Sequence, residues 1–195
     1  ALVDVNNPGL TGGVQNQPDF QAGVVDHRTH FVNAVPGIVR EVMAEYSELT
    51  GREYKPVMSF MADDAEYVVV GLGSVTDDAE AVAEHMRKQG HKVGVISVKL
   101  LQPFPEAEIV AALAGKKAVT VLERSDMTEL TSRVSQALLR ARENAADATP
   151  RHAGIPPISE LPRMTTAIFG LGAHDLQPRH MVACWLSAGH RAVME

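Results

Sequence analysis

The chain has 195 residues, 45% of them hydrophobic, and its 24 acidic and 18 basic residues give a net charge of −6. This length can bury a proper core, and the interspersed charges leave no basic footprint for nucleic acid or a membrane surface. No run of apolar residues is long enough to span a membrane, and we find no signal peptide. The single cysteine excludes an internal disulfide, so we expect a cytoplasmic protein.

The opening of the chain carries little periodicity. Residues 6–13 are rich in turn formers, and the first residue is Ala1 instead of Met, so we interpret the chain as a piece of a longer protein. An amphipathic helix is predicted next, from Val35 to Thr50, with Asn33 as its cap and Gly51 as its end. Such a helix needs a partner surface, and we expect it to contact other domains. The apolar face consists of Val35, Ile38, Val39, Val42, Met43, Tyr46 and Leu49.

The stretch from Glu66 to Gly90 predicts a strand, a tight turn and a helix. The apolar run Tyr67–Val70 is typical of a strand that is buried on both faces. The turn, residues 71–74, leads to a helix for which Asp77 is the expected N-cap and Gly90 the expected C-terminal stop. Together these elements predict one half of a βαβ unit.

The same alternation continues to the end of the chain. Further strands are predicted at 92–98, 118–122 and 165–169, with helices after Pro105, around Leu130 and from Pro178. Residues 149–162 are too rich in proline for regular structure. The pattern predicts an α/β fold with a doubly wound, mostly parallel sheet and helices on both faces.

Two glycine turns follow the first and the fourth predicted strand. Both are expected at the carboxyl edge, where open α/β sheets bind ligands and where backbone amides can face an anion. Glycine also suits tight turns and close packing without any ligand, and this structural interpretation is the favoured one. A dinucleotide site would need a third glycine where Thr76 stands, so NAD binding is disfavoured. The candidate residues are Gly71, Gly73 and Ser74, with Gly170 and Gly172.

Two other residue pairs have spacings that chemistry could use. His27 and His30 could hold a metal if their segment were helical, but no third ligand follows, and we interpret the segment as a solvated loop. Cys184 and His180 lie one helical turn apart, as in a thiolate–imidazole pair, yet the apolar surroundings favour a packed cysteine. We therefore assign no catalytic residue and no metal ligand.

Several motifs, taken in their order, resemble pyruvate:ferredoxin oxidoreductase. The resemblance extends over nearly the whole chain and depends on the order of the motifs more than on any one of them. The motifs occupy residues 11–13 with 18–21, 49–54, 63–66 leading into 69–74, 92–96 with 99–105, 119–124, and 169–178.

The resemblance implies an architecture and a role. Residues 1–55 would be an arm and linking helix from the end of a preceding thiamine-binding domain, and residues 56–195 a domain similar to the C-terminal domain of transketolase. The family's assembly decarboxylates a 2-oxo acid on thiamine diphosphate with magnesium and sends electrons through iron–sulfur clusters to ferredoxin or flavodoxin. It releases an acyl-coenzyme A.

This chain would supply none of those cofactors' ligands. It is expected to be a non-catalytic assembly domain that is inactive alone, packs against the other domains or subunits, and belongs to an oligomer. Pyruvate is the expected substrate, although an enzyme for 2-oxoglutarate, a branched-chain oxo acid or oxalate would fit about as well. Two alternatives stay open: a module that binds an anion such as coenzyme A through the glycine turns, or the matching domain of a transketolase relative.

Overall fold

The computed structural model describes residues 4–8 and 13–189. The backbone forms two compact units, Ala1–Val39 and Arg40–Glu195, and each is described by itself. Within the described ranges, no helix combines the length and the apolar character that a membrane crossing requires. The assignment of residues 1–55 to a preceding thiamine-binding domain stays a prediction.

The first unit contains helical structure from Gln17 to Val32, where the sequence analysis predicted a loop around the two histidines. Helix α1, Gln17–Asp26, starts with a proline in its first turn and continues into a π-helical segment, His27–Val32. The predicted loop around His27 and His30 is therefore wrong. No residue of α1 or of the π-helical segment is buried, and α1 is only weakly amphipathic, so its sequence gives little periodicity from which to predict a helix.

Helix α2 has the predicted bounds, Val35–Thr50, and Gly51 ends it with a φ of +68°. The predicted cap is wrong. Asn33 lies at the end of the π-helical segment, where its N–H donates to Arg28 O at 3.3 Å. In the first backbone hydrogen bond of α2, Ile38 N–H donates to Ala34 O at 3.2 Å. The cap position is therefore Ala34, one residue after Asn33.

The second unit contains a five-stranded sheet in the order β1-β3-β2-β4-β5, which confirms the doubly wound, mostly parallel fold. All neighbouring pairs are parallel except β1 with β3. The sequence analysis missed β1, because its four residues are too few for a pattern and none is fully buried. The strands are β1 Val57–Phe60, β2 Tyr67–Leu72, β3 Val93–Val98, β4 Ala118–Glu123 and β5 Arg163–Ile168.

Helices cover both faces of this sheet, as expected from right-handed crossovers. α3 and α6 share one hydrophobic cluster with the sheet, and α4 and α5 share the other. Residues 147–162 contain neither helix nor strand, as predicted. The helices are α3 Val75–Lys88, α4 Glu106–Leu113, α5 Glu129–Ala146 and α6 Pro178–Gly189.

The central strands explain the continuous apolar runs. Val68, Val69 and Val70 are all fully buried, and they alternate between the two clusters: Val68 and Val70 face one, and Val69 faces the other. Burial of each such side chain contributes about 1.5–3 kcal/mol relative to exposure. A strand with helices on both sides has no solvated face, so its sequence does not alternate.

The backbone between β1 and β2 crosses directly over Gly94 of β3. A Cβ atom at Gly94 would lie 2.7 Å from Met61 O and 2.8 Å from Ala62 Cα, so a side chain does not fit there. The Trp185 indole N–H donates to Gly94 O at 3.2 Å from the α6 side. Arg87 of α3 donates to Val93 O at 2.7 Å and also to Met61 O, which fixes the crossing segment against β3.

We expect Gly94→Ala to lower the free energy of unfolding by about 1–3 kcal/mol, because two backbone segments must move apart. Gly37→Ala is the matched control: Gly37 lies within α2, has open space around its Cα, and gains helix propensity. Urea unfolding of both variants checks this. Equal stability of the Gly94 variant and the parent chain would contradict the close approach.

Candidate functional site

The strand order creates a crevice between β2 and β4. The chain leaves β2 toward β3 on one side and later returns to form β4 on the other, so these two neighbours are the topological switch point where open α/β sheets bind ligands. A cleft of about 730 Å³ lies there. Its lining comes from the carboxyl ends of β2, β4 and β5 and the loops that follow, and it includes Leu72, Gly73, Ser74, Asp78, Leu101, Glu123, Arg124, Glu129, Phe169, Gly170, His174 and Asp175.

Gly71 does not belong to the predicted turn. It lies inside β2, opposite Ser97 of β3, and it is buried. A Cβ atom at Gly71 would lie 2.9 Å from Thr76 Cγ2 and 3.3 Å from Val75 Cγ1, so the glycine lets the first turn of α3 pack against the strand. The close-packing interpretation therefore describes this position.

The turn proper consists of Gly73 and Ser74, which line the cleft. Gly73 has a φ of +80°, a conformation that glycine adopts without strain. Gly73 O accepts from Thr76 Oγ1 at 2.8 Å, and the same hydroxyl lies 2.8 Å from Ser97 Oγ. Thr76, where a dinucleotide site would have glycine, thus holds the turn to β3.

Helix α3 begins at Val75, so Asp77 is not its N-cap. The Asp77 N–H donates to Ser74 O at 3.0 Å, and both Asp77 and Asp78 lie in the first helical turn. Carboxylates there interact favourably with the positive end of the helix dipole.

The second glycine turn reaches the same cleft through Gly170. This residue has a φ of +68°, and a Cβ atom on it would lie 3.1 Å from Arg124 Nε and 3.2 Å from Arg124 Cγ. The arginine stem therefore lies against the glycine backbone. Gly172, with a φ of +62°, belongs to the following 3-10 turn, Leu171–Ala173.

Arg124 is the feature of the cleft that the sequence analysis did not assign to the site. It directly follows β4 at the carboxyl edge, and this position along the chain could have assigned it to the site. Within the described part of the chain, its guanidinium has no hydrogen bond or ion pair. A guanidinium can bind a carboxylate or a phosphate with two parallel hydrogen bonds.

Four acidic residues also line the cleft, among apolar and small side chains. Asp78, Glu123, Glu129 and Asp175 line it together with the one arginine. Glu123 is buried and accepts from Thr131 N at 2.6 Å, inside the first turn of α5. The starts of α3 and α5, which could attract a phosphate, are thus already supplied with carboxylates of this chain.

The histidine pair lies in the π-helical segment of the first unit. His30 Nε2 is 4.0 Å from Asp26 Oδ1, and the His27 ring stacks on Phe31 at a centroid distance of 5.8 Å. Among residues 4–8 and 13–189, no group of three or more His, Cys, Asp or Glu side chains is placed to hold a metal ion.

Cys184 packs as an apolar residue on α6. Its side chain belongs to the cluster between α6 and the sheet, and burial raises the pKa of the thiol to about 11. The thiol is therefore protonated at neutral pH and is a poor nucleophile. His180 Nδ1 accepts from Gln177 N at 3.2 Å, within the first turn of the same helix.

The chain's own residues do not fit the cofactors that the resemblance implies. An iron–sulfur cluster is typically held by four cysteine thiolates, and this sequence contains one cysteine, which is protonated. Among the described residues, no three His, Cys, Asp or Glu side chains come together, whereas a magnesium ion is held by carboxylate and other oxygen ligands.

Comparisons with known proteins agree with the resemblance. Residues 65–155 match the family model for the pyruvate:ferredoxin oxidoreductase core domain II. The pyruvate synthase subunit PorA of Methanothermobacter thermautotrophicus is 34% identical over 92% of this chain, and PorA of Thermotoga maritima is 26% identical over 92%. The chain spans 42% of the length of each of these relatives.

A solved structure has the same fold. The 2-oxoglutarate:ferredoxin oxidoreductase from Magnetococcus marinus, determined with 2-oxoglutarate, coenzyme A and succinyl-CoA bound, aligns with a TM-score of 0.53 and 20% identity. The alignment covers 92% of this chain and 25% of that one. Residues 65–155 thus match a core domain II of the pyruvate:ferredoxin oxidoreductase type, and the similarity to the PorA subunits extends over 92% of this chain.

Proposed function

We propose that this chain is a packing and assembly domain of a thiamine diphosphate-dependent 2-oxo acid:ferredoxin oxidoreductase, and that it performs no chemistry itself. The observation that carries this proposal is the use of its buried polar side chains. Within the described residues, all five of them bond to partners that hold the fold together. They are Thr76, Ser97, Thr120, Glu123 and Asn144.

Each of these groups has a structural task. Thr120 Oγ1 lies 2.9 Å from Thr165 Oγ1 and donates to Cys184 O at 2.8 Å, which joins β4 to β5 and α6. The Asn144 amide donates to His152 O and Ile155 O, at 2.8 and 2.9 Å, and so holds the proline-rich connection on α5. A general acid or base needs instead a group that is free to exchange a proton with substrate.

We extend the proposal to the reaction of the whole enzyme on the basis of the names of the relatives. Because the two PorA relatives are named as pyruvate synthase subunits, we take pyruvate as the 2-oxo acid and acetyl-coenzyme A as the product. Thiamine diphosphate, magnesium and the iron–sulfur clusters would be held by other domains or subunits, with ferredoxin or flavodoxin as electron acceptor. The assembly would be a cytoplasmic oligomer, and the family match favours it over a transketolase relative.

A second candidate function is ligand binding at the switch-point cleft. Both glycine turns reach this cleft, and Arg124 offers it a guanidinium, which favours an anion such as a phosphate of coenzyme A. The ligand would have to place its negative charge at Arg124 and away from Asp78 and Asp175, whose carboxylates line the same cleft. Gly73, Ser74 and Gly170 would contact it directly, whereas Gly71 and Gly172 would act by shaping the strand end and the turn.

The native protein tests the first proposal. Purification from its source should yield an assembly far larger than the 21.0 kDa of this chain, with bound thiamine diphosphate and iron. The isolated chain should show no oxidation of pyruvate with coenzyme A and a viologen acceptor. A free protein of this mass without either cofactor, or turnover by the chain alone, would refute the proposal.

Calorimetry with coenzyme A tests the second candidate. If the cleft binds a phosphate, the chain should bind coenzyme A in the micromolar range, and Arg124→Gln should weaken binding about tenfold or more. Gly170→Val should act in the same direction, because its side chain would displace the arginine stem. Arg52→Gln, an exposed arginine after α2, is the control. No heat of binding, or equal losses in Arg124→Gln and Arg52→Gln, would exclude the site.

Alkylation tests the packed state of Cys184. A thiol with a pKa of about 11 should react with iodoacetamide at pH 8 roughly a hundredfold more slowly than an ordinary cysteine, because its thiolate fraction is smaller. The rate should rise about tenfold per pH unit up to about pH 10. Unfolding in urea should restore the ordinary rate, and ordinary reactivity in the folded chain would contradict the burial.

A further inference from the structure

Residues 40–50 of α2 belong to the second unit and contact two other segments of it. The Tyr54 N–H donates to Ser47 Oγ at 2.9 Å, and the rings of Tyr46 and Tyr54 pack at a centroid distance of 4.9 Å. Arg40 pairs with Glu108 of α4. These contacts join residues 40–47 of the helix to the segment that enters β1 and to α4.

The same part of the helix also presents apolar side chains to solvent. Val42, Tyr46 and Leu49 follow one another at the spacing of one helix face and are 57%, 49% and 81% exposed. Single exposed apolar residues are ordinary, but three at the spacing of one helix face form a stripe. We call these three residues the α2 stripe.

A row of carboxylates borders the α2 stripe. Glu41, Glu45 and Glu48 each directly precede a stripe residue, and all three are exposed. Within the described residues, their side chains have no ion pair or hydrogen bond. Like charges three or four residues apart destabilise a helix, and the last turn of α2 contains no basic residue to balance its dipole.

We propose that the α2 stripe is the docking surface for the part of the oxidoreductase polypeptide that lies outside this chain. That part would present an apolar patch bordered by lysine or arginine side chains. The proposal rests on the proposed function, since it needs a longer polypeptide. This chain spans 42% of the PorA relatives, so more than half of such a polypeptide is available to cover the stripe.

The charges select this occupant over a second copy of the chain. Cations opposite Glu41, Glu45 and Glu48 would remove the repulsion within the row and would balance the negative end of the helix dipole. A second copy of the stripe would instead bring three more carboxylates to the same interface. The helix also lies outside residues 65–155, so the matched core domain does not itself account for an apolar face there.

Cysteine labelling in the native assembly tests the docking. Val42→Cys and Leu139→Cys form a matched pair, since both parent residues are 57% exposed and lie on helices, α2 and α5. Iodoacetamide labelling, followed by mass spectrometry of each peptide, is compared between this chain and the longer polypeptide. We expect about tenfold slower labelling at position 42 in the longer polypeptide and equal rates at position 139. Equal rates at position 42 would overturn the proposal.

Charge reversal tests the chemistry of the partner. In the Val42→Cys background, Glu45→Lys should raise labelling of position 42 in the longer polypeptide several-fold, because it opposes the expected cations. Glu84→Lys, at an exposed glutamate of α3, should leave it unchanged. Protection that Glu45→Lys does not reduce would overturn the cationic partner.

The source of the protection is tested separately. Protection that appears only after other subunits are added would overturn the assignment to the same polypeptide. Failure of the docking is distinguishable from failure of the proposed function. The first gives an assembly that holds thiamine diphosphate and iron but labels freely at position 42, and the second gives no such assembly.

Discussion

The fold of the second unit depends on the close approach of the Met61–Ala62 backbone to Gly94. At this point the chain leaves the antiparallel edge strand β1, passes over β3 and enters β2, the first strand of the parallel set. Arg87 holds the crossing from the α3 side, and two hydrogen bonds of 2.7 and 2.8 Å join its guanidinium to Asp64. The arginine also lowers the pKa of the Asp64 carboxyl, which keeps this ion pair charged over most of the pH range.

This crossing sets the position of β2, and the end of β2 in turn sets the carboxyl edge of the sheet. The same glycine-rich sequence that suggested a phosphate site is divided between two tasks: Gly71 admits α3 against the strand, and Gly73 turns the chain. The starts of α3 and α5 are supplied with carboxylates of this chain, Asp77 and Asp78 on one and Glu123 on the other. An edge whose helix dipoles are already balanced in this way fits a packing domain better than a phosphate-binding one.

The parts of the structure that sequence reasoning predicted are those with a clear apolar pattern in the sequence. The runs at β2, β3 and β4 are buried on both faces, and α2 through α6 each have a periodic apolar pattern, so the α/β class and most helix ends were predictable. α1 is only weakly amphipathic and β1 has only four residues, so neither left a clear pattern. Of the site, the turns were predictable, but the position of Arg124 over Gly170 depends on a contact between segments 46 residues apart along the chain.

Helix α2 differs from helices α3 to α6 in the burial of its apolar residues. Helices α3 to α6 bury apolar residues on the sheet, whereas α2 has no buried residue although its sequence is clearly amphipathic. Helix formation by 16 residues is marginal in water without packing, and an unpaired carboxylate row weakens it further. A sequence that keeps an apolar stripe under these conditions is best explained by a surface, outside this chain, on which the stripe becomes buried.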